Sequence, residues 1–177
     1  MEDVITVLDG IYSEYAGRLF SYGMQLCPDK RLVEDALQET FLDLGRHARA
    51  FSQARDKRGY LFASFRYKLL RMKKEHPEYS SIDGPDGLDL PQEGTIEESF
   101  IGEEQRRLHE SRLQEMYSEL TPRHREVLFL RFSERMSFKE IADYLSIEPQ
   151  SAQNLFGRAL ARLRKIYLEE TTEKYHL

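Results

Sequence analysis

Between Ser137 and Lys165 the sequence leaves little choice of fold. Ser137-Phe138-Lys139-Glu140 has the spacing of a capping box, in which Ser137 takes the Glu140 amide and Glu140 reaches back. Ile141, Ala142 and Leu145 then fall on one face of a short helix. Ser146-Ile147-Glu148 makes a turn, and Pro149 opens a second helix at the position where a missing N–H costs nothing. In that helix Ala152, Leu155, Phe156, Ala159 and Leu163 follow helical spacing and are expected to pack inward. The opposite face carries Gln150, Gln153, Asn154 and Arg158 and no acid. Amide and guanidinium side chains pair bidentately with base edges, so this is a helix-turn-helix with a candidate major-groove face.

Such a face matters because the 177-residue chain has a formal net charge of −5. The acid is concentrated. Residues 76–111 carry 10 acidic and 2 basic side chains, whereas the segments on either side are near neutral or slightly basic. Overall acidity therefore does not argue against nucleic acid, because local patches decide. The single cysteine, Cys27, excludes an intrachain disulfide and sits in an apolar helical stretch, where it reads as a small buried hydrophobe. No apolar run approaches the ~20 residues needed to cross a bilayer. Glu2 and Asp3 stand where a signal peptide would be positive. The expectation is a soluble, cytoplasmic protein without membrane insertion.

Helical periodicity dominates, and no hairpin signal interrupts it. Residues 4–26, 31–49 and 59–75 each carry one apolar stripe, and the pattern resumes near Glu103, with Leu113, Met116, Tyr117 and Leu120 on one face. Thr121-Pro122 caps and starts the next helix. Between them Pro77, Gly84, Pro85, Gly87, Pro91 and Gly94 are scattered among acids, a composition that has little to bury. The fold class is all-α: a helical domain over 1–75, an acidic linker over 76–102, and a helical domain over 103–177 that contains the helix-turn-helix.

Two patches in the first domain stand out. Opposite the stripe of the second helix lie Asp35, Gln38, Glu39, Leu42 and Arg46, with Leu42 a large apolar side chain among polar ones. Spacing alone leaves two readings open, a solvated face with one exposed leucine and a docking surface for another protein. Residues 55–74 hold Arg55, Lys57, Arg58, Arg66, Lys68, Arg71, Lys73 and Lys74 against the single acid Asp56, with Tyr60, Phe62, Phe65 and Tyr67 interleaved. Cations can track phosphates and aromatic faces can stack on unpaired bases, whereas a basic solvated helix with Phe65 in the core is the plainer reading. Chemistry of an enzyme is missing from the motifs. The five histidines are dispersed, none at metal spacing, and neither a glycine-rich phosphate loop nor a nucleophile elbow is present. No catalytic residue, metal site or cofactor is expected.

Taken in order, these segments resemble the small two-domain, extracytoplasmic-function sigma factors of bacterial RNA polymerase. Val33-Glu34-Asp35-Ala36-Leu37-Gln38-Glu39-Thr40-Phe41-Leu42 looks like the family's polymerase-binding helix. Tyr60-Leu61-Phe62 through Arg66 looks like its minus-ten segment. Leu120-Thr121-Pro122-Arg123-His124-Arg125-Glu126-Val127, followed by Phe138-Lys139-Glu140-Ile141-Ala142, is similar to its C-terminal domain, and Arg158-Ala159 with Arg162-Leu163-Arg164 to the end of its recognition helix. The departures are local. Gly45 and Tyr60 stand where the family usually has Trp, Tyr67 where it has Asn, Ser146 where it has a turn glycine, and Ser151-Ala152 where it has Thr-Val. A serine at that turn costs up to ~1 kcal/mol if its φ is positive.

The resemblance implies a transcription initiation factor whose partners are core RNA polymerase, promoter DNA and an anti-sigma factor. It places Asp35, Gln38, Glu39 and Leu42 on the clamp helices of the polymerase. It places Gln150, Ser151, Gln153, Asn154 and Arg158 in the major groove of the minus-thirty-five element, and Arg55, Lys57, Arg58, Tyr60, Arg66 and Tyr67 on the melted minus-ten strand. The acidic linker would follow the RNA path of the polymerase. Two rivals share parts of this pattern: a stand-alone helix-turn-helix regulator, and a helical adaptor that binds protein but not DNA.

Overall fold

The computed structural model describes residues 4–77 and 103–174, and the linker expected over 76–102 lies almost wholly outside them. The chain divides into two units, Met1–Gly87 and Leu88–Leu177. Among the described residues all regular structure is helical.

The first unit contains α1 (Val4–Leu26), α2 (Lys30–Arg46), α3 (Ala48–Gln53) and α4 (Lys57–Glu75). Its core is where α1, α2 and α4 cross. Leu19, Tyr22, Val33, Ala36, Phe62, Phe65 and Leu69 are fully buried there, and the Tyr22 ring lies 5.4 Å from that of Phe62 and 6.2 Å from that of Phe65. Each such side chain removed from water contributes roughly 1.5–3 kcal/mol. Gly23 lets the helices approach: a Cβ there would sit 2.7 Å from Val33 Cγ1 and 2.8 Å from Phe65 Cζ. Cys27 is buried, as its apolar surroundings imply.

Caps fix the helix ends. Asp29 accepts from the Leu32 amide at 3.1 Å, and Asp56 accepts from the Gly59 amide at 2.9 Å, which starts α4 at Lys57, two residues earlier than periodicity indicates. The helix expected over 31–49 is two helices. The chain leaves helical geometry at His47 (φ −115°, ψ 28°) and restarts as α3. Gly45 weakens the helix just before this point, and the bend turns Phe51 inward, where it is 6 % exposed and 5.8 Å from the Tyr60 ring. Apolar spacing could not reveal the break, because Ala48 and Phe51 continue the stripe across it.

The second unit contains α5 (Glu103–Ser118), α6 (Pro122–Phe132), α7 (Phe138–Leu145) and α8 (Pro149–Lys174). The α5–α6 corner is closed by Arg125, which is buried and donates from Nη1 to the Leu120 carbonyl at 2.8 Å. The buried Tyr117 hydroxyl donates to the Arg125 carbonyl at 3.2 Å, and burial pushes this phenol well above its ordinary range. Leu113, expected on the inner face of α5, is half exposed, while Met116, Tyr117 and Leu120 are buried. The segment after Ile166, which has no distinct sequence signal, continues α8. Ile166 is buried, and the Arg112 guanidinium of α5 lies 5.1 Å from the Tyr167 ring.

Candidate nucleic-acid interface

The helix-turn-helix is built as its residues dictate. The capping box is complete, with the Ser137 amide donating to Glu140 Oε2 at 2.7 Å and the Glu140 amide to Ser137 Oγ at 3.2 Å. Ser146 ends α7 in the left-handed region (φ 53°, ψ 50°). Its N–H donates to the Asp143 carbonyl at 3.3 Å and that of Ile147 to Ala142 at 2.9 Å, the two bonds of a Schellman motif. Ala152 and Ala159 are fully buried, so α8 lies close against its neighbours. Leu155, Phe156 and Leu163, expected to pack inward, are half-buried. Phe156 is clasped between Phe132 at 5.6 Å and Phe138 at 5.4 Å.

That packing turns Gln150, Ser151, Gln153, Asn154 and Arg158 outward, and all five are exposed. They share one side of the first two and a half turns of α8. Gln150 Nε2 donates to Asn154 Oδ1 at 3.2 Å, which pre-orients two of the amides. Behind them His124 of α6 feels Arg158. Burial first, and the Arg158 charge second, hold this imidazole below its ordinary range.

In the first unit the basic run looks different from its sequence. Lys68 is largely buried and forms a close ion pair with Asp43 Oδ2, with Glu39 Oε2 at 3.6 Å. Arg71 pairs with Glu39 at 3.6 Å and Glu75 at 3.7 Å. Lys73 donates to the Leu26 carbonyl at 3.2 Å and so caps the C-terminal end of α1. Lys68, Arg71 and Lys73 are thus engaged by α1, α2 or α4 itself. The Lys68 hydrogen bond holds the Asp43 carboxyl below the usual carboxylate range, and Arg46, at 3.3 Å, adds to this. Asp43 drew no notice in the sequence. The available signal was the pair of acids at i and i+4, Glu39 and Asp43, on a helix that must pack beside a strongly basic one.

Arg55, Lys57, Tyr60 and Tyr67 are exposed, whereas Arg58 and Arg66 are half-buried. Tyr60, Ser64 and Tyr67 share one side of α4, and Arg66 points about 100° away from Tyr67 round the helix. Between α2 and α4 lies a recess of about 250 Å³ lined by Asp43, His47, Tyr60, Ser64, Tyr67 and Lys68 among others. On the outer side of α2, Asp35, Gln38 and Leu42 are exposed, Leu42 to 62 %. Glu39 is half-buried because it turns toward α4. The exposed Tyr12 of α1 packs edge-on against Phe41 at 4.9 Å, which extends apolar surface beside Leu42.

Among the described residues no group of three His, Cys, Asp or Glu is placed to hold a metal ion, and no helix is long and apolar enough to cross a membrane.

Two family models match, each in one unit: Sigma-70 region 2 over residues 11–76 and Sigma-70, region 4 over residues 110–163. The ECF RNA polymerase sigma factor SigM of Bacillus subtilis (strain 168) is 25 % identical over 164 residues, covering 90 % of this chain and 94 % of SigM. SigL of Mycobacterium tuberculosis (strain H37Rv), also an ECF RNA polymerase sigma factor, is 25 % identical over 159 residues, covering 89 % of this chain and 87 % of SigL. The fold is shared with the sigma factor RpoE of Bartonella quintana, solved in complex with the anti-sigma factor NepR. The TM-score is 0.62 at 17 % identity over 90 % of this chain and 95 % of RpoE.

Proposed function

The chain belongs to the extracytoplasmic-function sigma factors, which direct bacterial RNA polymerase to specific promoters, and on that premise we propose how its residues divide the task. The exposed face of α2, with Asp35, Gln38 and Leu42, docks on core polymerase. Glu39, ion-paired with Lys68 and Arg71, takes part at the edge of that face and ties it to α4. The outer face of α8 reads the minus-thirty-five duplex through Gln150, Ser151, Gln153, Asn154 and Arg158. The α4 side of the first unit, with Arg55, Lys57, Arg58, Tyr60, Arg66 and Tyr67, holds the minus-ten region as its strands part. No nucleotide hydrolysis is needed in this scheme: unstacking costs a few kcal/mol per base, and stacking on an aromatic returns about 1–3 kcal/mol. An anti-sigma factor, such as the one that RpoE binds in its solved complex, is the partner expected to compete with polymerase for the chain.

The observation that carries this reading is the pairing of two unlike faces in one chain. One is an acid-free amide and guanidinium surface on a recognition helix, and the other is an exposed leucine set among acids on α2. A stand-alone regulator needs only the first. Co-elution of the purified protein with core polymerase, beside a Gln38→Ala/Leu42→Asp variant, tests it. Wild type should co-elute and the variant should not. A wild-type chain that binds operator DNA but never core would return the reading to a stand-alone regulator.

A further inference from the structure

Gly45 lies in the last turn of α2, where a glycine is destabilising against alanine. The backbone does not require it: no left-handed φ occurs there, and a Cβ would meet only Leu8 Cδ1, at the ordinary contact distance of 3.6 Å. The position is one where the family usually has Trp. What the glycine leaves is room. A second hollow of the first unit, of about 660 Å³, opens where α1, the end of α2, α3 and the first turn of α4 meet. That volume is within the range of small-molecule sites, roughly 300–1,000 Å³. Its wall is apolar, with Leu8, Ile11, Leu44, Ala48 and Phe51, and Tyr15 adds a second aromatic ring. Leu8, the side chain that a Cβ at position 45 would touch, ties Gly45 to this space.

The polar groups of the hollow are mostly positive. Arg49 and Lys57 are exposed at its rim, and among the described residues no acid pairs with either. Glu14, the acid of the wall, is already engaged by Arg18 at 3.9 Å and by the Tyr15 hydroxyl. We propose that this hollow binds a small aromatic acid, with its flat apolar body in the space beside Gly45 and its carboxylate at Arg49 and Lys57. An aromatic body gains from ring contacts with Phe51 and Tyr15 beyond the area that it buries. An anion answers the two unpaired cations, whereas a cation would be repelled by them. Occupancy stabilises the folded first unit by mass action, which gives the unit that carries α2 a small-molecule input. This site does not depend on the initiation reading, and either can fail without the other.

The sequence has no Trp, so an indole ligand can be followed by its own fluorescence against the purified full chain. Indoleacetate is the probe, and uncharged indole is its control. Indoleacetate should bind saturably at one site, more tightly than indole, and more weakly as salt is raised. Gly45→Phe fills the hollow without adding an indole and should abolish saturable binding. Gly45→Ala adds only the Cβ that the structure accommodates and should retain it. Arg49→Ala/Lys57→Ala, at the exposed rim where folding is not at risk, should weaken indoleacetate severalfold, the size expected of exposed charges, and leave indole unchanged. Equal binding by wild type and Gly45→Phe would overturn the site, and so would its loss in Gly45→Ala, because that would mark an effect on the helix. Unchanged affinity in the rim variant would overturn the anion. A wild type that never saturates would end the proposal and leave the hollow to an apolar side chain of a protein partner.

Discussion

The two helices assigned to DNA, α4 and α8, present their polar side chains in opposite ways. On α8 the reading residues face solvent: Gln150 donates to Asn154, and Arg158 acts on His124 of α6 behind them. On α4 the cations are drawn back into the unit, Lys68 and Arg71 by the acids of α2 and Lys73 by the end of α1. Outward on α4 stand Tyr60 and Tyr67 together with Lys57 and Lys74, and beside the tyrosines is a hollow. The first arrangement suits a duplex, whose edges come to the protein in fixed register in the major groove. The second suits a single strand, whose bases leave the stack and need somewhere to go. Charge counting along the sequence assigned more of the positive potential to α4 than its surface retains.

The sharpest way to break this contrast is to remove readout from α8. Arg158→Ala and Gln153→Ala should each lower promoter affinity by roughly 1–3 kcal/mol and relax choice at one minus-thirty-five position. Binding of a single-stranded minus-ten oligonucleotide should stay unchanged. Measured at one fixed salt concentration, a loss equal for all duplex sequences would mean that these side chains meet phosphates only.

The inner side of α4 is tested at the helix crossing. Gly23→Ala places a Cβ inside the contact distance of Val33 and Phe65. Alanine is the better helix former by up to ~1 kcal/mol, but overpacking of a close crossing costs about 1–3 kcal/mol, so the sign should be destabilising. Amide exchange should speed up in α1, α2 and α4 and not in α6–α8. An unchanged exchange pattern would show that the crossing can give way without cost.

A smaller effect, of opposite sign, is expected at the α7–α8 turn. Ser146 adopts a φ of 53°, a conformation that glycine takes without the strain of a Cβ. Ser146→Gly should therefore raise the stability of the second unit by up to ~1 kcal/mol, seen in chemical denaturation, with duplex readout intact. A neutral result would mean that the extra conformational freedom that glycine loses on folding offsets the relieved strain.

Residue by residue, the second unit was the more legible. Capping box, turn, Pro149 and the five outward residues of α8 are local features, set by spacings of three and four, and a sequence carries such features openly. The first unit depends on partners distant in sequence. Lys68 meets Asp43 twenty-five positions away, and Lys73 meets Leu26 forty-seven positions away. Neither pairing follows from periodicity, and so the recess beside Asp43 and Lys68 was invisible. The break at His47 was hidden for a related reason: Phe51 keeps helical phase with α2 although tertiary packing has bent the chain. Leu113 shows the converse, a residue in phase with a buried stripe that remains half exposed.

The smallest expected effect is acid sensitivity in the second unit, and its sign follows from His124. Burial, and then the Arg158 charge, lower the folded-state pKa of this imidazole below the unfolded 6.5. Its Nδ1 is buried without a hydrogen-bond partner, so a proton placed there meets no acceptor. Below that pH the unfolded chain binds more protons than the folded one, so the contribution is fully present above the unfolded pKa and is lost as pH falls through the folded one. The second unit should thus lose stability on acidification from about pH 6.5, and His124→Gln should flatten that limb. In Arg158→Ala the imidazole should titrate higher than in wild type but still below its ordinary value, because desolvation remains. An imidazole proton resonance that titrates at the unfolded value in wild type would remove the effect. A resonance unmoved by Arg158→Ala would leave burial as its sole cause and would detach His124 from the reading face of α8.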